Sequence, residues 1–294
     1  MTRGPAPLRA TALLLAAVVL PGAAAAQYFP AQPGAYLLSA TAGDGRALWI
    51  NPAALVRDAE ASVGADITGT FGAGEAEVTQ LGATLASRGL AFGWSRTEPR
   101  TAGAQATQLP AINTFVLGLG LGDEGFSAGV ARRWYRSSAS NDAAWEIGAR
   151  LRPRRAIELS LVWRDIGSPA VSPYRRLVPS DSALPARVIP GVGLILFGGR
   201  LRLAAEWESS GDFVSRVARV GWSFAVSPQL SVMGRSDLSS RPEERSFALA
   251  AQWRGRGVRA AMVGARPDAF DRQDLGAAVQ LYTAPPPQRR RPRR

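Results

Sequence analysis

Apolar residues alternate with polar or small residues along most of the chain. In the stretch from Trp145 to Leu151, every second side chain is apolar, whereas Glu146 and Arg150 fall on the opposite face. Successive side chains of a β-strand point to opposite faces of a sheet, so this period of two predicts a strand with one apolar and one polar face. Because the pattern recurs many times, we expect an all-β protein.

Segments of this kind follow one another between residues 59 and 283, and we count fourteen of them. Most span about nine to eleven residues or slightly more, the length that a tilted strand needs to cross a bilayer. An even number of such strands predicts a transmembrane antiparallel β-barrel of about 14 strands. The predicted strands lie at residues 60–71, 75–86, 89–97, 111–121, 125–136, 143–152, 155–165, 188–198, 200–209, 214–226, 228–237, 246–255, 257–265 and 273–282.

The predicted connections differ in length between the two ends of this barrel. Six of the seven connections at one end are longer than every turn at the other end. Outer-membrane barrels have short periplasmic turns and longer external loops, whereas a soluble β-sandwich has no reason to sort its loops in this way. The pattern favours a membrane barrel with its short turns in the periplasm.

Large aromatic residues are predicted to form two bands on the outward face. Aromatic girdles of this kind mark the two interfaces of a membrane. The same rings would also fill the core of a secreted sandwich or a soluble barrel, so a soluble secreted β-protein stays open as an alternative. One band contains Trp94, Trp134, Trp145, Trp163, Trp207 and Phe247, and the other contains Phe126, Trp222 and Trp253.

Residues 1–26 have the features of a secretory signal peptide. Arg3 and Arg9 precede an apolar run from Ala10 to Leu20, and mostly small residues follow it up to Ala26. The run is too short for a helix that spans a bilayer, which needs about 20 apolar residues. We therefore expect cleavage after Ala26 and export of the mature chain.

The composition restricts the chemistry that the protein can perform. The chain has neither histidine nor cysteine, and all 35 of its basic residues are arginine. This excludes imidazole and thiolate metal ligands, a thiol nucleophile and lysine-based covalent catalysis. Glu206, Glu208 and Asp181 are candidate acid–base catalysts, but carboxylates on a lumen wall or a solvated loop more often pair with cations. We expect no enzymatic activity, no cofactor and no bound metal.

Charged residues of both signs fall on the inward faces of the predicted strands. Arginine can bind a carboxylate through two parallel hydrogen bonds, so this mixture favours a network of ion pairs. Such a network either lines a polar channel as a selectivity element or holds an internal segment against the wall. Its predicted members are Glu146, Arg150, Glu158, Arg164, Arg202, Glu206, Arg235 and Arg254.

Residues 27–58 lack the strict alternation of the barrel strands. They include the apolar stretch from Gly43 to Leu55, which contains Asn51, Pro52 and Ala53. Taken alone, Asn51-Pro52 predicts a turn, because proline restricts the residue before it and asparagine can bond to its own backbone.

A stretch of small residues that leads into an asparagine-proline-alanine motif and then a barrel resembles the FadL and PorV/PorQ superfamily of outer-membrane proteins. The segment from Arg164 to Gly167, followed by a long polar loop and Leu184-Pro185, is similar to the mid-barrel pattern of PorV-like members. The resemblance implies that residues 27–58 fold into the lumen of a fourteen-stranded barrel as a hatch. It leaves open whether Asn51, Pro52 and Ala53 take part in gating or are structural only.

The resemblance implies two functions for an integral protein of a bacterial-type outer membrane. One is FadL-like passive transport of hydrophobic or amphipathic small molecules. The other is a PorV/PorQ-like role in a protein secretion or surface-attachment system, without transport. The expected partners are outer-membrane lipid and either a hydrophobic small-molecule ligand or a secretion-machine or secreted protein.

Residues 284–294 form a basic end of the chain that contains four prolines and five arginines. Without these arginines and the two of the signal peptide, the formal net charge falls from +12 to +5. We expect a disordered periplasmic tail. Because the chain is exported, nucleic acid is not an expected partner.

Overall fold

The computed structural model describes most of the predicted barrel and part of the predicted hatch. The predicted signal peptide, the basic tail and Asp181 lie outside the described residues. The described residues are 27–28, 37–57, 61–72, 75–98, 100–101, 110–138, 141–171, 184–210, 215–239, 245–267 and 273–283.

Fourteen of the β-strands in this part of the chain form one closed barrel, and two very short strands form a separate pair. Three short 3-10 helices complete the regular structure of the described residues. The elements in chain order are β1 (Gln27–Tyr28), η1 (Gly45–Trp49), η2 (Pro52–Arg57), β2 (Ser62–Gly72), β3 (Glu75–Ser87), β4 (Leu90–Thr97), β5 (Arg100–Thr101), β6 (Ile112–Gly122), β7 (Phe126–Arg136), β8 (Asn141–Arg154), β9 (Ile157–Ile166), β10 (Arg187–Leu196), η3 (Phe197–Gly199), β11 (Leu201–Ser210), β12 (Ser215–Ala225), β13 (Leu230–Ser239), β14 (Ser246–Arg254), β15 (Val258–Pro267) and β16 (Gln273–Tyr282).

Every barrel strand pairs with its neighbours in an antiparallel ladder, and the last strand closes on the first. The closing ladder of β16 and β2 runs from Gln273 opposite Phe71 to Tyr282 opposite Ser62. Closure removes the unpaired edges that an open sheet would expose. The predicted fold class, an all-β antiparallel barrel of 14 strands, is confirmed, and every predicted strand end lies within two residues of the observed one.

The lengths of the connections agree with the sequence prediction only in part. The two longest connections, residues 98–111 and 167–186, lie at the same end, which we call the long-loop end. The other is the short-turn end. The prediction that six of the seven long-loop connections exceed every short turn is wrong, because residues 197–200 and 226–229 form four-residue turns. These turns are as long as two of the loops, because β10 to β13 are shorter at the short-turn end than predicted and β8 begins two residues earlier than predicted.

The outward face of the barrel is covered with exposed apolar side chains. Trp145, Trp163 and Trp207 are each almost half exposed on this face. Trp94 on β4, Phe115 on β6 and Trp134 on β7 pair directly across the strands and form a continuous aromatic row. The described residues contain no helix with the length and apolarity to cross a membrane.

Residues 37–57, which we call the inner segment, lie inside the barrel. Leu48 packs against β4 and β6, and Leu38 packs against Gly221 of β12. The segment therefore contacts widely separated parts of the wall. It also forms an apolar core with the inward side chains of Ala86, Ala91, Val116 and Ala131. Inside this barrel the polar and charged wall residues face the segment or a chamber beside it.

Candidate functional site inside the barrel

The inner segment is built from a turn and the two helices η1 and η2. The side chain of Asp44 caps η1 by accepting a hydrogen bond from the Arg46 N–H at 3.0 Å. Asn51 lies between the helices and is fully buried. Its Oδ1 accepts a hydrogen bond from the Ala53 N–H at 3.0 Å, and its Nδ2 donates one to the Ser39 carbonyl at 3.3 Å. Asn51 thus joins the start of η2 to the preceding turn.

Pro52 and Ala53 pack directly against glycines of the wall. Pro52 is the first residue of η2, where the missing N–H of proline removes no helical hydrogen bond. A methyl group on Gly129 of β7 would overlap the backbone of Pro52 and Ala53, and one on Gly148 of β8 would overlap the Asn51 side chain. Glycine at both positions allows the two backbones to approach closely. The three motif residues therefore form a tight contact surface with β7 and β8.

Three charged residues of the wall hold the backbone of the inner segment. These contacts replace the water that the carbonyls and N–H groups of the segment would otherwise bind. The wall supplies them from β9, β11 and β13, so they lie along an arc of five neighbouring strands. Arg164 Nη2 lies 3.1 Å from the Trp49 carbonyl oxygen and 2.8 Å from the Ile50 carbonyl oxygen. Glu206 Oε2 accepts a hydrogen bond from the Ser39 N–H at 2.7 Å. Arg235 Nη1 donates one to the Leu37 carbonyl at 3.2 Å.

A chain of ion pairs runs along the inner wall from β9 to β13. Arg187 of β10 pairs with Asp165 of β9 and with Glu208 of β11, the latter at 3.1 Å. Arg219 of β12 continues the chain, with its Nη2 2.6 Å from Glu208 Oε2 and its Nε 3.3 Å from Asp237 Oδ2. Each arginine bridges carboxylates of two other strands, which is the geometry that its forked donors favour.

Glu146 forms a second polar centre at the start of this wall. Its carboxylate is almost fully buried and lies 2.8 Å from Arg133 Nη2 and 3.0 Å from Arg164 Nη2. Arg133 also lies over the Trp49 ring of the inner segment, 5.7 Å from its centroid. Glu146 therefore positions two arginines that both touch the inner segment.

The eight charged residues predicted from the sequence have three kinds of surroundings. The inner segment is contacted directly by Arg164, Glu206 and Arg235, and Glu146 binds Arg164. Arg150 pairs instead with Glu158 at 3.5 Å. Arg202 and Arg254 instead line a chamber. The guanidinium of Arg254 lies 5.7 Å from the Tyr282 ring centroid. Among the described residues, no carboxylate oxygen lies within 4.0 Å of the Arg202 guanidinium.

The paired carboxylates considered as catalysts are engaged by arginine. Glu206 lies 3.4 Å from Arg219 Nη1, and Glu208 is held between Arg187 and Arg219. These distances are those of ion pairs, and both carboxylates also contribute to the positioning of the wall or the inner segment.

Several residues of the network were missed in the sequence. Arg133 follows the alternation of β7 and could have been found from it. Asp165 could not have been found from the alternation. Its positive φ of 55° turns the Asp165 side chain inward, although it directly follows the inward-facing Arg164. Arg187 is the first residue of β10, one residue before the predicted start of that strand at 188, so the alternation does not include it.

Asp44 and two arginines form a further centre on the opposite side of the segment. Asp44 pairs with Arg46 of the same segment and lies 3.2 Å from Arg259 of β15. Burial alone would raise the pKa of the Asp44 carboxyl, but the charge and hydrogen bonds of Arg46 and the charge of Arg259 outweigh it. The pKa is lowered to about 2.

A chamber of about 590 Å³ lies between the inner segment and the wall at the short-turn end. Leu37, Leu38 and Asp44 of the inner segment bound it on one side. Inward side chains of β8, β10 and β11 to β15 and the turn after β6 bound the rest, among them Arg152, Ile195, Arg202, Ser223, Met233, Arg254, Arg259 and Glu124.

Comparison with known proteins relates this geometry to solved barrels. No protein-family model and no curated protein matches the chain. The chain is similar in fold to the toluene transporter TodX of Pseudomonas putida. That match has a TM-score of 0.52 and 13% sequence identity, and it covers 83% of this chain and 95% of TodX.

A mutant porin of Rhodopseudomonas blastica also matches, with a TM-score of 0.44 and 10% identity over 76% of this chain and 98% of the porin. At these identities the likeness concerns the fold alone.

Proposed function

We propose that the protein is an outer-membrane barrel that passes hydrophobic or amphipathic small molecules passively, with the inner segment as a hatch. The observation that carries this proposal is the position of residues 37–57 inside a closed barrel. The segment occupies the lumen without being part of the wall. Its displacement would open a path through the barrel.

The outward surface of the barrel supports a membrane location. Leu117, Leu161 and Leu249 on three different strands are each more than 40% exposed, which is unfavourable in water. In a bilayer the same side chains contact lipid tails, and the tryptophan side chains lie near the interfaces. The predicted signal peptide agrees with export to the outer membrane.

The way in which the inner segment is held supports a gating role. Its polar contacts to the wall pass both through backbone groups, such as the carbonyls of Trp49 and Ile50 bound by Arg164, and through side chains, such as Asp44 paired with Arg259. These contacts are non-covalent and can be exchanged for water. The name of the structural neighbour TodX, a toluene transporter, is consistent with a hydrophobic cargo. We also propose that the barrel performs no enzymatic step, because the candidate catalysts Glu206 and Glu208 serve as partners of arginine.

One observation favours the second candidate, a non-transporting PorV/PorQ-like component of a secretion or surface-attachment system. Pro52 and Ala53 are packed against Gly129 and Gly148 without room for a methyl group. A segment seated so closely is also what a permanent plug requires. In that case the barrel acts as a membrane anchor, and the rim of the long-loop end binds a secretion-machine or secreted protein.

Uptake by intact cells distinguishes the two candidates. Gram-negative host cells that produce the protein are mixed with the hydrophobic fluorophore N-phenyl-1-naphthylamine, and the rise in fluorescence is compared with cells that carry an empty vector. Liposomes containing the purified protein are tested in parallel for swelling in arabinose. The cell assay is needed because hydrophobic molecules cross a simple lipid bilayer unaided.

For a hatch-controlled path we expect faster entry of the fluorophore and no sugar permeability above protein-free liposomes. Entry at the rate of the empty-vector cells, with the folded barrel present in the outer membrane, would contradict transport and favour the anchor. Rapid swelling in arabinose would identify an open polar channel instead.

A further inference from the structure

The chamber at the short-turn end has a marked excess of positive charge. Among the described residues that line it, Arg152, Arg202, Arg254 and Arg259 are basic, whereas Asp44 and Glu124 are acidic. The Asp44 carboxylate is already bound by Arg259 and by Arg46. The arginines that line the chamber therefore outnumber its lining carboxylates by two.

Arg202 and Arg152 carry this excess. Arg152 Nη2 donates to the backbone carbonyl of Arg155 at 2.9 Å, and its Nε lies 3.8 Å from Glu158, which also pairs with Arg150. Arg202 is half-buried and has no carboxylate within ion-pair distance in the described part of the chain. Withdrawing a charge from water without a partner is unfavourable. A bound anion would supply the missing partner.

We propose that this chamber binds a small organic anion, a carboxylate or a phosphate ester, between Arg152 and Arg202. Guanidinium groups bind both acid groups through paired hydrogen bonds. A volume of about 590 Å³ exceeds what a bare phosphate needs, and it falls within the roughly 300–1,000 Å³ typical of small-molecule sites. Apolar residues such as Leu38, Ile195 and Met233 line the same space and fit a carbon skeleton. The site goes beyond the proposed passage of hydrophobic molecules and does not depend on it.

Isothermal titration calorimetry on the full-length protein in a neutral detergent tests the site. Succinate and inorganic phosphate are titrated separately at constant ionic strength, and their relative affinities identify the preferred acid group. The test variants are Arg202→Gln and Arg152→Gln. The matched control is Arg256→Gln, since Arg256 is an exposed residue in a turn at the same end and its replacement changes the net charge equally.

We expect saturable binding of at least one anion to one site, weakened about tenfold or more by Arg202→Gln or Arg152→Gln and less than about twofold by Arg256→Gln. Heat-modifiability on gels confirms that each variant is folded. Absence of saturable heat for both anions would overturn the proposal. Equal weakening in Arg256→Gln and Arg202→Gln would also overturn it, because binding would then reflect general surface charge.

Discussion

Nη2 of Arg164 lies 2.8 Å from the carbonyl oxygen of Ile50, so a charged residue of the wall directly binds the backbone of the inner segment. The same nitrogen lies 3.0 Å from Oε1 of Glu146, which is almost fully buried. The arginine thus connects a wall carboxylate to the segment. Because its charge is shared between them, the position of the segment depends on an ion pair of the wall.

Replacing Arg164 by glutamine should loosen the inner segment and destabilise the barrel. The Trp49 and Ile50 carbonyls lose a charged donor, and Glu146 loses one of the two arginines that pair with it in the described part of the chain. Hydrogen bonds to charged groups contribute about 1.5–3 kcal/mol, so we expect a loss of that size in the free energy of unfolding. Urea titration of the protein in lipid vesicles measures it. Arg200→Gln, in an exposed turn, should be nearly neutral, and an equal loss there would contradict the assignment.

Gly129→Ala should be destabilising because the methyl group has no space. It would overlap the backbone of Pro52 and Ala53 and push η2 away from β7. Overpacking of this kind costs about 1–3 kcal/mol. The matched control is Gly264→Ala on β15, where a methyl group would meet the Leu275 side chain at an ordinary 3.5 Å. If both variants unfold at the same urea concentration, the tight contact at Gly129 is not present in the membrane.

Asp44 should make the protein sensitive to acid in a defined pH range. The pKa of its carboxyl is about 2 in the folded protein and 3.8 ordinarily. Between these two pH values the carboxylate is ionised in the folded state but largely protonated in the unfolded chain. The stabilisation is complete above about pH 4 and is lost as the pH falls from about 4 to about 2, an effect of roughly 2 kcal/mol. The difference in unfolding free energy between wild type and Asp44→Asn should shrink by that amount between pH 5 and pH 2. A constant difference would contradict the ion pairs with Arg46 and Arg259.

The outward face should tolerate charge only near the ends of the strands. Leu161 lies at the middle of β9 and is 48% exposed, whereas Leu238 lies next to the last residue of β13 and is 54% exposed. An arginine on the lipid face costs about 2–4 kcal/mol at the bilayer centre and about 0–1 kcal/mol near the interface. Leu161→Arg should therefore be much more damaging to folding into vesicles than Leu238→Arg. Equal effects would argue against a membrane around the barrel.

The barrel could be predicted from the sequence because its strands have two different surroundings. In β9, Leu159 and Leu161 face outward while Glu158 and Ser160 face inward, so apolar and polar residues alternate along the strand. This alternation is a local property of each strand, so it predicts the strand even when the neighbouring strands are not known. The number of strands and their ends follow from it.

The contacts inside the barrel could be predicted only in part. Asp165 turns inward through its positive φ, which interrupts the alternation. Asp44 meets Arg259 although more than 200 residues separate them, and residues 37–57 have no periodicity that indicates which wall residues they touch. These contacts depend on how the chain closes in space. The asparagine-proline-alanine motif indicated the segment but not the glycines of β7 and β8 that receive it.

A disulfide lock between the inner segment and the wall tests the movement of the hatch most directly. A Cβ atom on Gly193 of β10 would lie 3.3 Å from Cβ of Ala40, close to the roughly 3.5–4.5 Å found in disulfides. The chain has no cysteine of its own, so within one molecule the variant Ala40→Cys/Gly193→Cys can form only this bond. Each single variant, treated identically, serves as a control.

Entry of N-phenyl-1-naphthylamine into intact cells is then measured with the lock oxidised and after reduction. We predict entry at the background of empty-vector cells while the disulfide is closed, and recovery to the rate of the single variants once it is reduced. Entry at the full rate through a barrel whose disulfide is completely formed would contradict a path that opens by movement of the inner segment.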